Sequence, residues 1–297
     1  MDMAERQKMI EAIQQFRLID DVYFSAFFDG DKVSMELVLR IILGKPSLHV
    51  VEMRAQNEVP NMYGRAVRFD VFATDDKNNE YNIEVQRSDE GANPRRARYN
   101  SSMMDTMNVS KGTEWKDIPP VIVIFITEHD VLGGGLPLYH VERVIREMGD
   151  KSFGDASEIV YVNAEIQDDT PLGKLMHDFF CKDANDMNYR ILADRTKFFK
   201  TDEHGVSRMC KIMEDIKNEG VAEGMEKGMK AGRKEGRKEG RKEGRKEGVV
   251  VGREEARGDM VTVMLKDCAP IGKIEQYTGW TNEKIRDFAI RNNLTVH

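Results

Sequence analysis

The chain has 297 residues, of which 40% are hydrophobic and 33% are charged, and its formal net charge is −7. This composition can bury a core and excludes global disorder. No apolar run approaches the roughly 20 residues of a membrane-spanning helix, and the three cysteines are widely spaced. We therefore expect a cytoplasmic chain with no membrane contact, no disulfide framework and no cysteine-based metal site.

Helices and strands alternate over roughly the first 200 residues. In chain order, the hydrophobic periodicity and the turn signals predict a helix over residues 33–43, a β-hairpin over 66–86, a helix over 94–107, a strand over 121–126, a strand over 158–163 and helices from 170 to about 217. The strand at 121–126 is apolar throughout, which is typical of a strand buried on both faces. This order predicts an α/β domain over residues 1–217, in which helices flank a mixed sheet core.

The two strands of the predicted hairpin alternate between apolar and polar residues. In the first strand, we expect the apolar side chains of Val67, Phe69, Val71 and Ala73 to share one face of the hairpin. Asp70 is expected on the other face. In the second strand, the polar face consists of Asn82, Glu84 and Gln86. The simplest interpretation is that this polar face is exposed to water, because antiparallel hairpins are commonly solvated on one side.

The polar face also has the composition of a metal site. Asp70 and Glu84 are equidistant from Lys77, the centre of the predicted turn, so a symmetric hairpin makes them cross-strand neighbours. Two carboxylates at that separation repel each other unless a cation lies between them, and Mg²⁺ binds one or two protein carboxylates. The backbone carbonyl of Val85 is a candidate for a further metal ligand, and Gln86 is placed to orient a water molecule or a phosphate oxygen.

These strands and the segments around them resemble a known group of enzymes. The strand with Asp70 (residues 67–71), the turn and the strand with Glu84 and Gln86 (residues 81–86) are similar to the core of the PD-(D/E)XK nuclease superfamily. More narrowly, they resemble the Rpn-type recombination-promoting nucleases, also described as PD-(D/E)XK family transposases. The resemblance implies a restriction-endonuclease-like fold and a DNA endonuclease that depends on Mg²⁺ or Mn²⁺.

The resemblance also implies roles for individual residues. Asp70 and Glu84 would hold the metal, and Gln86 would take the position of the lysine found in most of the superfamily. Because Gln86 is neutral, another residue must supply positive charge if the enzyme is active. Glu36 would be an additional acid near the metal. The alternative for Glu36 is a surface ion pair with Arg40, four residues further along the helix.

An arginine-rich segment is the candidate for contact with DNA. Arg95, Arg96 and Arg98, with Tyr99 beside them, are expected on one helix, and arginine binds phosphate through two hydrogen bonds. The alternative is a solvated helix face. The charge distribution opposes DNA binding, because the four GRKE units carry +1 each and the rest of the chain therefore carries −11.

The C-terminal third of the chain has a different composition. Glycine recurs at every fourth position from Gly220 to Gly252, within a low-complexity segment at residues 218–258. One hypothesis is a helical rod that self-associates along the glycine stripe to form a homo-oligomer, and the alternative is a disordered linker. Residues 259–297 predict a short helical tail, which is either a helical hairpin for packing or a helix-turn-helix remnant.

The function predicted first is a Mg²⁺-dependent DNA endonuclease of the recombination-promoting or transposase-like type. Two alternatives remain open. One is a catalytically inactive DNA-binding protein that retains the nuclease fold, and the other is a self-assembling protein whose helical repeat is the functional element.

Overall fold

The computed structural model describes residues 3–60 and 66–296. The chain forms two compact units, Met1–Ile216 and Lys217–His297. The helices are α1 (Met3–Gln15), α2 (Asp21–Phe28), α3 (Lys32–Leu43), α4 (Pro94–Asn108), α5 (Pro171–Phe180), α6 (Arg190–Thr201), α7 (Glu203–Lys266), α8 (Ile271–Thr278) and α9 (Asn282–Arg291). The strands are β1 (Val50–Val59), β2 (Val67–Asp75), β3 (Glu80–Gln86), β4 (Val121–Thr127), β5 (Leu138–Val141), β6 (Val144–Ile145), β7 (Lys151–Ser152) and β8 (Ser157–Asn163).

A six-stranded mixed sheet lies at the centre of the first unit, with the strand order β1-β2-β3-β4-β8-β5. Strands β1, β2 and β3 pair antiparallel, whereas β4 and β8 continue the sheet in parallel from β3. Every residue of β4 is buried, because this strand is central and both faces of the sheet are covered. The sheet and its flanking helices agree with the α/β architecture that the sequence predicts.

Two hydrophobic clusters cover the two faces of the sheet. The larger cluster contains residues of α2, α3, α5 and α6 and includes Val71, Ile83 and Ile124 from the strands. The smaller cluster contains Ala97 and Met104 of α4, together with strand residues that include Phe69, Phe72, Val123 and Phe125. Helix α4 is therefore the element that covers the second face.

The hairpin formed by β2 and β3 has the predicted register. Its pairs run from Thr74↔Glu80 to Val71↔Ile83, which is symmetric about Lys77. The carboxylate of Asp75 fixes the turn, since it accepts hydrogen bonds from the backbone N–H groups at positions 77 and 79, from the Asn79 side chain and from the Tyr81 hydroxyl. A fixed turn of this kind sets which residues of the two strands face each other.

Two expectations about the hairpin faces are wrong. Val71 and Ala73 belong to the larger cluster, but Val67 and Phe69 belong to the smaller one, so the four do not share a face. The change in which face the side chains occupy falls at Asp70, just beyond the last backbone pair between β2 and β3. The polar face is also not exposed to water: Glu84 is fully buried because α4 covers it.

In the second unit, the end of α7 packs with α8 and α9. Its core consists of Val261, Leu265, Ile271, Ile274, Trp280, Ile285 and Ala289. Gly279 ends α8 in the left-handed conformation, and the Thr281 hydroxyl accepts a hydrogen bond from the Lys284 N–H to cap α9. The glycine repeat lies within α7, and a Cβ added at any position from Gly220 to Gly252 would meet no neighbouring atom.

Across residues 3–60 and 66–296, none of the helices combines the length and the apolar character that crossing a membrane requires.

Candidate active site

A cavity of about 1010 Å³ opens where β2 separates from β3. Five elements line it: α2, β2, β3, the short 3-10 helix Asp89–Ala92 and α4. Its polar lining includes Asp21, Asp70, Gln86, Arg68, Arg87, Arg95 and Arg96. Acidic and basic side chains therefore meet in one cavity at the edge of the sheet.

Asp70 is one of the two carboxylates in the lining of this cavity, the other being Asp21. Its Oδ2 accepts a hydrogen bond of 3.1 Å from the backbone N–H of Val85, in place of a further backbone pair between the strands. The N–H and C=O of one strand residue point to the same edge, so the carbonyl of Val85 faces this side as well. Val85 also lines the cavity, which brings together two of the predicted metal ligands.

Glu84 is fully buried beside this cavity and is held by polar side chains. Arg96 Nη2 lies 2.5 Å from Glu84 Oε2, and the side-chain amide of Asn100 donates to Oε1 at 3.2 Å. The amide of Gln86 donates more weakly to Oε2, at 3.4 Å. A buried carboxylate needs such partners, because burial without them would penalise its charged form.

The two carboxylates share an unfavourable electrostatic environment. Burial, and then the charge of Glu84, raises the pKa of Asp70 to about 8, with a smaller contribution from Asp21. Burial also raises the pKa of Glu84, against the opposing effects of Arg96 and Asn100. Without a metal ion, Asp70 therefore holds a proton at neutral pH, and a bound divalent ion would displace it.

Gln86 is positioned by a close approach of the backbone at Gly91. A Cβ at position 91 would lie 1.8 Å from Gln86 Oε1, so only glycine leaves room for the amide in its present place. The carbonyl of Gly91 also accepts a hydrogen bond of 2.9 Å from Arg96 Nη1. One glycine therefore supports two side chains of the site.

The four residues predicted to bind DNA fall in different environments. Arg95, Arg96 and Tyr99 line the cavity, and Arg96 is tied to Glu84. Arg98 is exposed on α4 but does not belong to the cavity lining. Three of the four residues therefore lie in the same cavity as the carboxylate of Asp70, whereas Arg98 lies outside it.

Glu36 is not brought to the cavity. Its Oε2 lies 2.7 Å from Arg40 Nη2, and its Oε1 accepts a hydrogen bond of 3.0 Å from the backbone N–H of Val50. Glu36 does not lie beside the predicted metal ligands, because α3 directs its side chain toward the start of β1. The ion-pair alternative describes its contacts.

Sequence reasoning missed Asp21, Arg68 and Arg87. Asp21 is the first residue of α2 and lines the cavity, where its charge raises the pKa of Asp70. No motif could have indicated it, since α2 lies far from the hairpin in sequence. The positions of Arg68 and Arg87 in the sequence could have indicated them. Arg68 immediately precedes the Phe69-Asp70 pair, and Arg87 immediately follows Gln86.

A second group of metal-ligand types lies at the end of α5: His177, Asp178 and Cys181. The Asp178 carboxylate already accepts hydrogen bonds from the backbone N–H groups of Asn188 and Tyr189. Burial raises the pKa of Cys181 to about 11, which disfavours the thiolate that a metal would need. These contacts anchor the segment before α6.

The donor set at the sheet edge fits a hard divalent cation. Asp70, Glu84 and the carbonyl of Val85 offer oxygen atoms only, which suits Mg²⁺ or Mn²⁺ rather than a softer metal. Burial raises the pKa of Glu84 and of the half-buried Asp70, so a nearby positive charge would favour the ionised form of each. Paired carboxylates with arginines around one cavity are typical of a site for phosphate chemistry.

Comparison with known families gives one match. Residues 35–189 match the family described as PD-(D/E)XK nuclease family transposase. This segment is more than half of the chain and contains Asp70, Glu84, Gln86 and Arg96. The chain therefore belongs to this family. Its six-stranded mixed sheet with flanking helices fits a restriction-endonuclease-like fold. Searches of curated proteins and of solved structures found no match.

Proposed function

We propose that this protein is a Mg²⁺-dependent DNA endonuclease of the recombination-promoting or transposase-like type. The observation that carries the proposal is the electrostatic proximity of Asp70 to buried Glu84 at the end of the β2–β3 hairpin, beside an arginine-lined cavity. The family is one of nucleases, which makes DNA the expected substrate. Asp70, Glu84 and the carbonyl of Val85 would hold Mg²⁺ or Mn²⁺.

The proposed reaction is hydrolysis of a phosphodiester. The oxygen of a water molecule forms a bond to phosphorus, and the bond from phosphorus to one sugar oxygen breaks. One proton leaves the attacking water and one proton ends on the departing sugar oxygen, so that the products are a phosphate monoester and an alcohol. The metal, when bound, supplies positive charge to the phosphate and lowers the pKa of a water molecule. Gln86 would orient that water.

The backbone of the DNA would be bound by the arginines of the cavity. Arg68 and Arg95 line it from β2 and α4, with Tyr99 beside them. Arg98 would contact DNA outside the cavity. Local positive charge of this kind is needed, because the body of the protein is acidic overall.

The proposal is tested by nicking of supercoiled plasmid in the presence of Mg²⁺. We expect cleavage by the wild-type chain and a loss of at least about 100-fold in the Asp70→Ala, Glu84→Ala double variant. The matched control is Asp194→Ala, which removes an exposed carboxylate on α6. Equal cleavage by the wild type and the double variant would refute the assigned site.

If neither protein cleaves, the catalytically inactive alternative applies, and a gel shift with duplex DNA decides whether binding is retained. A chain that neither cleaves nor binds DNA would leave self-assembly as its function.

We further propose that the chain forms a homo-oligomer through the glycine repeat. The glycines from Gly220 to Gly252 lie in open space along α7, and they would allow a second helix to approach closely. The tail, with its own small core, would serve packing or DNA contact.

A further inference from the structure

Arg96 contacts the buried acid of the site directly. Its Nη2 lies 2.5 Å from Glu84 Oε2, and its Nη1 donates to the carbonyl of Gly91 at 2.9 Å. The guanidinium lies over the ring of Phe125, 5.8 Å from the ring centre, and the side chain is 37% exposed where it lines the cavity. Arg96 thus reaches the acidic pair on one side and the substrate space on the other.

Strand β3 itself provides no positive charge for the carboxylates. Position 86, two residues after Glu84, carries the neutral amide of glutamine. The next residue, Arg87, is held by two other acids, Asp20 and Glu128. A phosphodiester that enters the cavity brings negative charge next to Asp70 and Glu84, and that charge must be compensated for the reaction to proceed.

We propose that Arg96 is the catalytic cation of this site. Its guanidinium neutralises Glu84 in the metal-free protein and binds the scissile phosphate when Asp70 and Glu84 hold a divalent ion. Arginine suits both partners, because its planar fork forms paired hydrogen bonds with carboxylates and with phosphates. This inference rests on the proposed nuclease function.

The proposal has a consequence that a structural role would not have. The guanidinium and a divalent ion compete for the same carboxylate, so Arg96 opposes metal binding while it supports cleavage. Removal of its charge therefore moves the two properties in opposite directions. Loss of a merely structural contact would weaken both.

The test uses full-length Arg96→Met and a matched control, Arg190→Met, which removes an exposed arginine of α6. Calorimetric titration with Mn²⁺ at pH 8.5, without DNA, measures metal affinity, and single-turnover plasmid cleavage measures the reaction. We expect Arg96→Met to bind Mn²⁺ about three- to tenfold more tightly and to cleave at least about 100-fold more slowly. Arg190→Met is expected to match the wild type in both assays.

A second variant, Arg96→Lys, keeps the positive charge but lacks the planar guanidinium that forms paired hydrogen bonds. It is expected to recover cleavage to within roughly tenfold of the wild type. Unchanged or weaker Mn²⁺ binding by Arg96→Met would overturn the inference, as would full cleavage by that variant. A wild-type chain that does not cleave would contradict the proposed function and with it the catalytic role of Arg96, whereas Mn²⁺ binding by Arg96→Met would still decide whether Arg96 competes with the metal for Glu84.

Discussion

The carboxylate of Asp70 accepts a hydrogen bond from the backbone N–H of Val85, with 3.1 Å between Oδ2 and the nitrogen. The bond joins the residue next to Val71 and the second residue after Ile83, beyond Val71↔Ile83, which is the last backbone pair of the two strands. A side chain thus continues the contact between β2 and β3 where the backbone ceases to. One carboxylate oxygen is fixed by the sheet, and the other is left for a ligand in the cavity.

Metal binding is expected to strengthen as the pH rises toward 8. Burial and the neighbouring Glu84 raise the pKa of Asp70 to about 8, so the metal-free site holds a proton that a divalent ion must displace. Below pH 8, Mn²⁺ affinity should fall by up to about tenfold per pH unit. Calorimetry in two buffers of different ionisation enthalpy would detect the released proton. Affinity that does not change between pH 6 and pH 8 would contradict this assignment.

Asp70→Asn is expected to stabilise the metal-free protein at high pH. Because the folded-state pKa is raised, the folded protein binds the extra proton between about pH 4 and pH 8, and the stability contributed by that proton is lost as the pH rises through this range. The variant has no such loss, and we expect a gain of about 1–3 kcal/mol at pH 8.5 that disappears at about pH 4 and below. Urea unfolding measures it, with Asp194→Asn as the control.

Gly91→Ala is expected to reduce cleavage without unfolding the protein. The new Cβ would overlap Oε1 of Gln86, so the side-chain amide must leave its present position beside Glu84. A displacement of about 1 Å in an active site can cost 100-fold in rate. Gly272→Ala, where a Cβ meets no atom, is the matched control. Wild-type cleavage by Gly91→Ala would show that the placement of Gln86 is unimportant.

Two acids near the N-terminus are expected to behave differently. Asp21→Asn removes a charge from the cavity and should weaken Mn²⁺ binding by about three- to tenfold. Glu36→Gln should leave Mn²⁺ binding unchanged and lower the free energy of unfolding by about 1 kcal/mol, because it weakens the contacts to Arg40 and Val50. Titration and urea unfolding of both variants provide the check, and the reverse pattern would restore Glu36 as the additional acid.

Alanine substitutions in the glycine repeat should separate helix formation from association. Each glycine costs about 1 kcal/mol relative to alanine inside a helix, so helical circular dichroism should increase in a variant changed at Gly232, Gly236, Gly240 and Gly244. If the stripe mediates close approach, the same variant should dissociate in sedimentation experiments. Lysine-to-arginine changes at positions 234, 238, 242 and 246 provide the control. An unaltered oligomer would exclude the stripe as the interface.

Much of the sheet could be predicted from the sequence. The apolar run of β4 and the alternation of β3 are direct consequences of burial on two faces and of the two-residue period of a strand. Strand β1 was not predicted, because it is an edge strand whose middle residues are only partly buried and carry charged side chains. Its alternation is therefore too weak to recognise.

The candidate site was predictable only in part. The register about Lys77 was predictable, since a turn signal and two alternating strands are local features, and the structure keeps it as far as Val71↔Ile83, the pair before Asp70 and Glu84. The burial of Glu84 was not predictable, because periodicity tells which side chains share a face and not which element covers that face. The approach of Asp21 depends on the packing of α2 against the sheet, and no local pattern encodes it.

Because of the turn at Asp75, the distance between Asp70 and Glu84 depends on the number of residues in the loop between β2 and β3. Its carboxylate binds groups from Lys77 to Tyr81, so the loop closes with a fixed number of residues. One residue inserted between positions 76 and 79 would carry Glu84 to the opposite side of the sheet while leaving every acid in the sequence. The length of this loop is thus as necessary to the proposed site as the acids themselves.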